Sequence, residues 1–140
     1  MKIRRLTFVA LALVAVLPAA GCGGGAKDAA RKACGEVLPA LSGAPALPKG
    51  FPAVDSVIYT KSTQDGSAEI VSGYLPGEVA DAFAAFASAI SGAPGYKVTK
   101  REHEEFDAEL DFAGGSKTGQ VKLVQLCQGR TGVTVTARPG

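Results

Sequence analysis

The stretch Phe106-Asp107-Ala108-Glu109-Leu110-Asp111-Phe112 constrains the fold most. Apolar and acidic residues alternate with a strict period of two, which no helix tolerates. It reads as a strand with one face on a core and the other in water. A strand wet on one face belongs to an antiparallel sheet, because the strands of parallel sheets are covered on both sides. The neighbouring segments agree. Val54 to Lys61 and Ser67 to Tyr74 flank the turn Gln64-Asp65-Gly66, and Tyr96 to His103 forms a third strand. Beyond a turn at Gly114 to Gly119, Gln120 to Gln128 and Thr131 to Ala137 add two more, joined tightly at Gly129-Arg130. Between the hairpin and the third strand, Val79, Phe83, Phe86 and Ile90 recur at helical spacing. Leu75-Pro76-Gly77-Glu78 opens that helix and Gly92-Ala93-Pro94-Gly95 closes it. Ala26 to Leu41 reads as a further short helix, weakened by Gly35 and Pro39. The expected fold is α+β: a mostly antiparallel sheet of about six strands packed by one main helix, plus the short N-terminal helix. Residues 42–53, with three Pro and two Gly, read as a surface loop or linker.

The N-terminus follows a different logic. Lys2, Arg4 and Arg5 precede the apolar run Leu6 to Leu17. As a helix this run would reach ~18 Å, short of the ~30 Å hydrocarbon core, so it is expected to be a secretory signal and not a membrane span. Removing residues 1–21 takes away those three cations and no anion, and the net charge turns from +2 to −1. The remaining chain therefore has no electrostatic footprint for nucleic acid.

The signal ends in Leu17-Pro18-Ala19-Ala20-Gly21-Cys22. Small residues before a cysteine at this place resemble the lipobox of bacterial lipoproteins, although Ala19 stands where a branched aliphatic residue is usual. The resemblance implies that the Cys22 thiol carries a diacylglyceryl group and that cleavage falls just before it. Ala19-Ala20-Gly21 also fits plain secretion. Anchoring by two or more chains is stable where one is marginal, and Gly23-Gly24-Gly25 reads as a tether. The organisation expected is a signal peptide at 1–21, an anchored tether with short helix and Pro/Gly-rich loop at 22–53, and an α+β domain at 54–140. The expected location is the extracytoplasmic face of the cell membrane.

The three cysteines are Cys22, Cys34 and Cys127. An odd count in an exported chain needs a reason, and lipidation of Cys22 supplies one. Cys34 and Cys127 then remain as a disulfide pair, suited to an oxidising compartment, with two buried thiols as the alternative. The later part of the chain loosely resembles small envelope lipoproteins of high-GC Gram-positive bacteria. Cys34, the run Val71-Ser72-Gly73-Tyr74-Leu75-Pro76-Gly77, the run Asp107-Ala108-Glu109-Leu110-Asp111-Phe112 and Cys127 carry that likeness. It implies no catalytic residue.

Among chemistry-bearing residues, Glu105, Asp107, Glu109 and Asp111 are expected on one side of a strand as a candidate acidic surface. They are suited to Ca²⁺ or a basic partner, or simply to cross-strand pairing with Lys97, Lys100, Arg101 or Lys122. His103 stands in His-Glu-Glu-Phe, not His-Glu-x-x-His. Lys117-Thr118-Gly119 lacks the Ser-x-x-Lys partner of penicillin-binding enzymes, and Gly114 to Gly119 lacks the lysine of a phosphate loop. No cofactor or metal is expected. The reading is a lipid-anchored, non-catalytic binding or interaction module, its partner an envelope protein or cell-wall component. A small hydrolase using His103, or a purely structural envelope component, are the alternatives.

Overall fold

The computed structural model describes residues 32–140. Six strands form one sheet: β1 (Ile58–Asp65), β2 (Ala68–Pro76), β3 (Tyr96–His103), β4 (Asp107–Gly114), β5 (Lys117–Cys127) and β6 (Arg130–Pro139). One helix, α1 (Val79–Gly92), lies between β2 and β3. The strand order is β1-β2-β6-β5-β4-β3, and every neighbouring pair is antiparallel. The chain makes a hairpin, crosses through α1 to the far edge, and returns by a four-strand meander until β6 pairs with β2. The α+β architecture expected from the sequence is therefore present.

Alternation decides which face is buried. On β4, Ala108, Leu110 and Phe112 are buried while Asp107, Glu109 and Asp111 are not. Registered beside them, Val121 and Leu123 of β5 and Val133, Val135 and Ala137 of β6 continue the apolar face. Across β3, β4 and β5 lies α1, which buries Val79, Ala82, Phe86 and Ile90. Phe83, the remaining member of the apolar stripe, is half-buried. Gly119 sits opposite Phe112, and a Cβ there would strike the Phe112 ring and the Thr136 carbonyl. The aromatic ring occupies the space that the glycine leaves.

Several boundaries differ from expectation. The first strand begins at Ile58, not Val54. Asp55 and Ser56 form a turn, with Ser56 at φ 67°, so that Val54 and Val57 both reach the core from a bend. Pro76 ends β2 instead of opening the helix, and Glu78 is the residue before its first turn. The turn placed at Gly114 to Gly119 shrinks to Gly115-Ser116, both at positive φ, as a two-residue hairpin with right-handed strand twist requires. Glu105 lies in the connection between β3 and β4, not on the strand, because β4 starts only at Asp107.

The largest departure concerns the N-terminal segment. Of the helix expected over Ala26 to Leu41, the residues from Lys32 onward carry no helix, and 26–31 lie outside the described residues. Its backbone groups go to the sheet instead of to each other. Gln128 N–H donates to the Lys32 carbonyl at 2.9 Å, and Leu41 N–H donates to the Tyr59 carbonyl at 2.8 Å. Arg130 Nη1 donates to the Gly35 carbonyl at 3.2 Å, and the Tyr74 hydroxyl donates to the Leu38 carbonyl at 3.2 Å. A disulfide joins Cys34 to Cys127, with Cα atoms 5.1 Å apart. The segment thus forms a belt. It starts at the β5–β6 turn, passes over the ends of β6 and β2, and rounds the β1 edge.

Beyond that edge, the Pro-rich residues 42–53 are more than a loop. Leu47 and Phe51 pack on the core. The Phe51 ring meets Phe112 at a centroid distance of 5.1 Å and Tyr96 edge-on at 5.9 Å. Tyr96 donates its hydroxyl to the Lys49 carbonyl at 2.9 Å. The belt also protects the β1 edge, whose unpaired backbone would otherwise invite another strand. The opposite edge, β3, carries Lys97, Lys100, Arg101 and Glu102 and a register shift between Val98 and Lys100, both ordinary defences of a free edge.

Candidate functional site

The sheet face turned away from α1 is polar over most of its width, and the register explains its composition. Asp111 lies opposite Gln120, which lies opposite Thr136. Glu109 lies opposite Lys122, which lies opposite Thr134 and then Ser72. The same alternation that buries Val121, Leu123, Val133 and Val135 turns these partners outward.

Three carboxylates expected together, Asp107, Glu109 and Asp111, do share this face. Glu105 does not join them. Gln120 Nε2 donates to Asp111 at 3.0 Å and to Glu109 at 3.3 Å. Lys122 Nζ donates to Glu109 at 3.0 Å as an ion pair. At the edge, Lys100 pairs with Glu102 at 2.7 Å. The Glu102 carboxylate, through its hydrogen bond and then its charge, holds the Lys100 ammonium above the ordinary lysine value, with smaller help from Asp111 and Glu109. The acidic row is thus laced by cations and amides of neighbouring strands, and such exposed pairs contribute little to stability. Among the described residues, no three His, Cys, Asp or Glu side chains come together as a metal-ligand group.

Beside the row is a recess of about 430 Å³, lined by Thr99, Asp111, Thr118, Gln120, Thr136 and Arg138 with the backbone around Phe112 and Gly119. It offers hydroxyls, an amide, a carboxylate and a guanidinium on a rigid sheet, a set suited to a hydroxylated or charged polar ligand. Of its members, the sequence marks Asp111 as part of an acidic surface and Thr118 only as part of the fragment Lys117-Thr118-Gly119. The others were visible in principle. Thr118, Gln120 and Lys122 alternate with Gly119, Val121 and Leu123, and Thr134 and Thr136 alternate with Val133 and Val135. What the pattern lacks is the register that sets them beside Asp111.

The lone histidine is on the α1 side of the β3 edge, its ring 5.0 Å from that of Phe83. A second recess, also about 430 Å³, is lined by His103 with Glu102, Glu104, Asp107 and Glu109. No hydroxyl or thiol side chain lines it. Lys117, read as part of a near-miss motif, is on strand β5 and pairs with Glu69 at 2.7 Å.

A polar side chain overlooked in the sequence organises the entry to α1. Gln125 is only 1% exposed. Its Oε1 accepts the Val79 N–H at 3.2 Å, and its Nε2 donates to the Cys127 carbonyl at 2.7 Å. The Val79 N–H has no partner within the helix. Thr131 Oγ1 donates to the Gly77 carbonyl at 2.9 Å, and Gly129 N–H donates to Glu78 Oε1 at 3.2 Å. The β5–β6 turn therefore holds the start of the helix as well as the disulfide. Cys22 lies outside the described residues. No protein-family model, no curated protein and no solved structure matches this chain.

Proposed function

We propose that this chain is a bacterial lipoprotein of the extracytoplasmic face of the cell membrane, anchored through Cys22, whose folded body is a non-catalytic binding module. The observation that carries the reading is the fate of the cysteines. The disulfide takes Cys34 and Cys127 out of a set of three, and the third follows a short apolar run and small residues. A stable disulfide suits an oxidising compartment, and lipidation accounts for the odd thiol. The binding surface is the outward sheet face around Asp111, Gln120 and Arg138, which suits a polar envelope partner such as a cell-wall polymer.

Metabolic labelling with radioactive palmitate tests the anchor. The wild-type chain takes up label and sediments with membranes, while Cys22→Ser takes up none. A wild-type chain without label, or label retained by Cys22→Ser, overturns the reading. Co-sedimentation with isolated cell wall tests the surface. Binding that is weakened in Gln120→Ala/Arg138→Ala supports it, and binding indifferent to those changes assigns the partner elsewhere.

A further inference from the structure

We infer that the end of the sheet where the tether leaves the domain is a membrane-contacting surface, docking on the lipid leaflet that holds the anchor. The inference rests on the proposed anchorage. Among the described residues, the exposed large hydrophobic side chains are Val37, Leu38, Ile58 and Leu126, from 38% to 66% exposed. Leu38, Ile58 and Leu126 are distant in sequence and come together around Tyr74, with Val37 next to Leu38 in the chain. Ile58 lies opposite Tyr74, and Tyr74 lies opposite Gly132. Leu126 lies over Gly132, where a Cβ would come within 3.0 Å of its side chain. The Tyr74 hydroxyl holds the Leu38 carbonyl, and the Arg130 guanidinium stands 5.5 Å above the Tyr74 ring while it holds the Gly35 carbonyl. One apolar patch therefore surrounds Tyr74 and Arg130, formed by β1, β2, β5 and the belt.

Its position selects the occupant. Lys32, hydrogen-bonded to Gln128 two residues beyond Leu126, is where the chain departs toward Cys22. The ten residues from Cys22 to Lys32 reach at most about 35 Å. A lipid at Cys22 thus keeps the patch close to the leaflet, and contact becomes an intramolecular event at high effective concentration. The chemistry fits a lipid interface: aliphatic side chains, a tyrosine with apolar ring and polar tip, the Arg130 guanidinium over that ring, and the exposed Lys32 where the chain turns toward Cys22. Glu36 and Glu78 supply the opposite sign nearby, so aliphatic insertion contributes more than charge attraction. With this end on the leaflet, the remaining outward face around Gln120 and Arg138 stays open to envelope partners.

The chain has no tryptophan, so a single introduced indole reports its own surroundings. Lipidated Leu126→Trp, Leu38→Trp and, as control, Ala84→Trp on the exposed side of α1 are reconstituted in vesicles of phosphatidylglycerol and brominated phosphatidylcholine. Emission from positions 126 and 38 falls about twofold as their indoles enter the headgroup boundary, while position 84 is unaffected. Flotation of the chain with vesicles but equal quenching at all three positions overturns the membrane contact and leaves the anchor intact. Failure of the wild-type chain to float overturns both. Burial of the indole without vesicles, rising with protein concentration, assigns the patch to a second copy and overturns the lipid assignment.

Discussion

Gln125 is the residue whose chemistry is least replaceable. A buried amide is tolerated only when both its ends are partnered, and here it joins the first N–H of α1 to the carbonyl of the cysteine two residues on. Gln125→Leu keeps the volume, leaves the Val79 N–H buried without a partner and takes the amide donor from the Cys127 carbonyl. The expected cost is about 2–4 kcal/mol, read from urea unfolding at neutral pH. Tyr59 makes a different demand. Burial pushes its phenol from 10.0 up to about 12. The phenol of the unfolded chain gives up its proton near pH 10 while that of the folded chain keeps it, so the folded state binds more protons in that window. Stability contributed by the neutral phenol is fully present below pH 10 and is lost as pH rises toward 12. Tyr96 is raised by the same cause and acts with the same sign. Denaturant midpoints measured from pH 8 to 11 should fall above 10, and the fall should be shallower in Tyr59→Phe.

Among the elements, the belt needs the most explanation, because it has no secondary structure and yet completes the core. Helix α1 covers β3, β4 and β5, while Leu47, Phe51, Val54 and Val57 add to the same core from the chain before β1. Phe51→Ala removes a half-buried ring from Phe112 and Tyr96. It should cost about 2–3 kcal/mol, less than the 3–5 of a fully enclosed phenylalanine. Urea unfolding measures the loss, and hydrogen exchange should quicken at Leu41 and Tyr96 before it does in β4. The belt also marks where sequence reasoning fails. Strands such as β4 and the stripe of α1 are legible because their own periodicity separates a buried from a wet side. Ala26 to Leu41 has helix-favouring composition, but Cys34 and the carbonyls of Lys32, Gly35 and Leu38 are committed to groups 36 to 96 residues away. Local propensity cannot anticipate such partners. Phe51 is isolated between prolines and has no period to reveal its burial. The candidate surface divides in the same way. Asp107, Glu109 and Asp111 announce their common face, whereas the neighbourhood of Asp111, Thr136 and Arg138 depends on the meander placing β6 two strands from β4.

At the scale of the whole molecule, one disulfide ties the N-terminal segment to the turn between β5 and β6. The Cys34–Cys127 bridge spans 93 residues, which include the whole of β1 to β4, α1 and most of β5. Closing so long a loop removes entropy from the unfolded chain, which the loop-entropy account values at about 4–5 kcal/mol as an upper figure. The bridge has a second, local effect, because it pins the start of the belt to the turn that holds Gln125, Thr131 and the entry of α1. These two effects are separable. In Cys34→Ser/Cys127→Ser the denaturant midpoint should drop by the equivalent of about 3–5 kcal/mol, and the slope should rise because the uncrosslinked unfolded chain exposes more surface. If the local pinning matters as well, hydrogen exchange in the double variant quickens at Gln128 and Leu41, whose N–H groups bond along the belt, while Val121 and Leu123 in the sheet centre follow only the global loss. A midpoint unchanged by the double substitution would mean that the belt's hydrogen bonds and Phe51 hold the segment without the bridge. The disulfide would then not be a determinant of the fold.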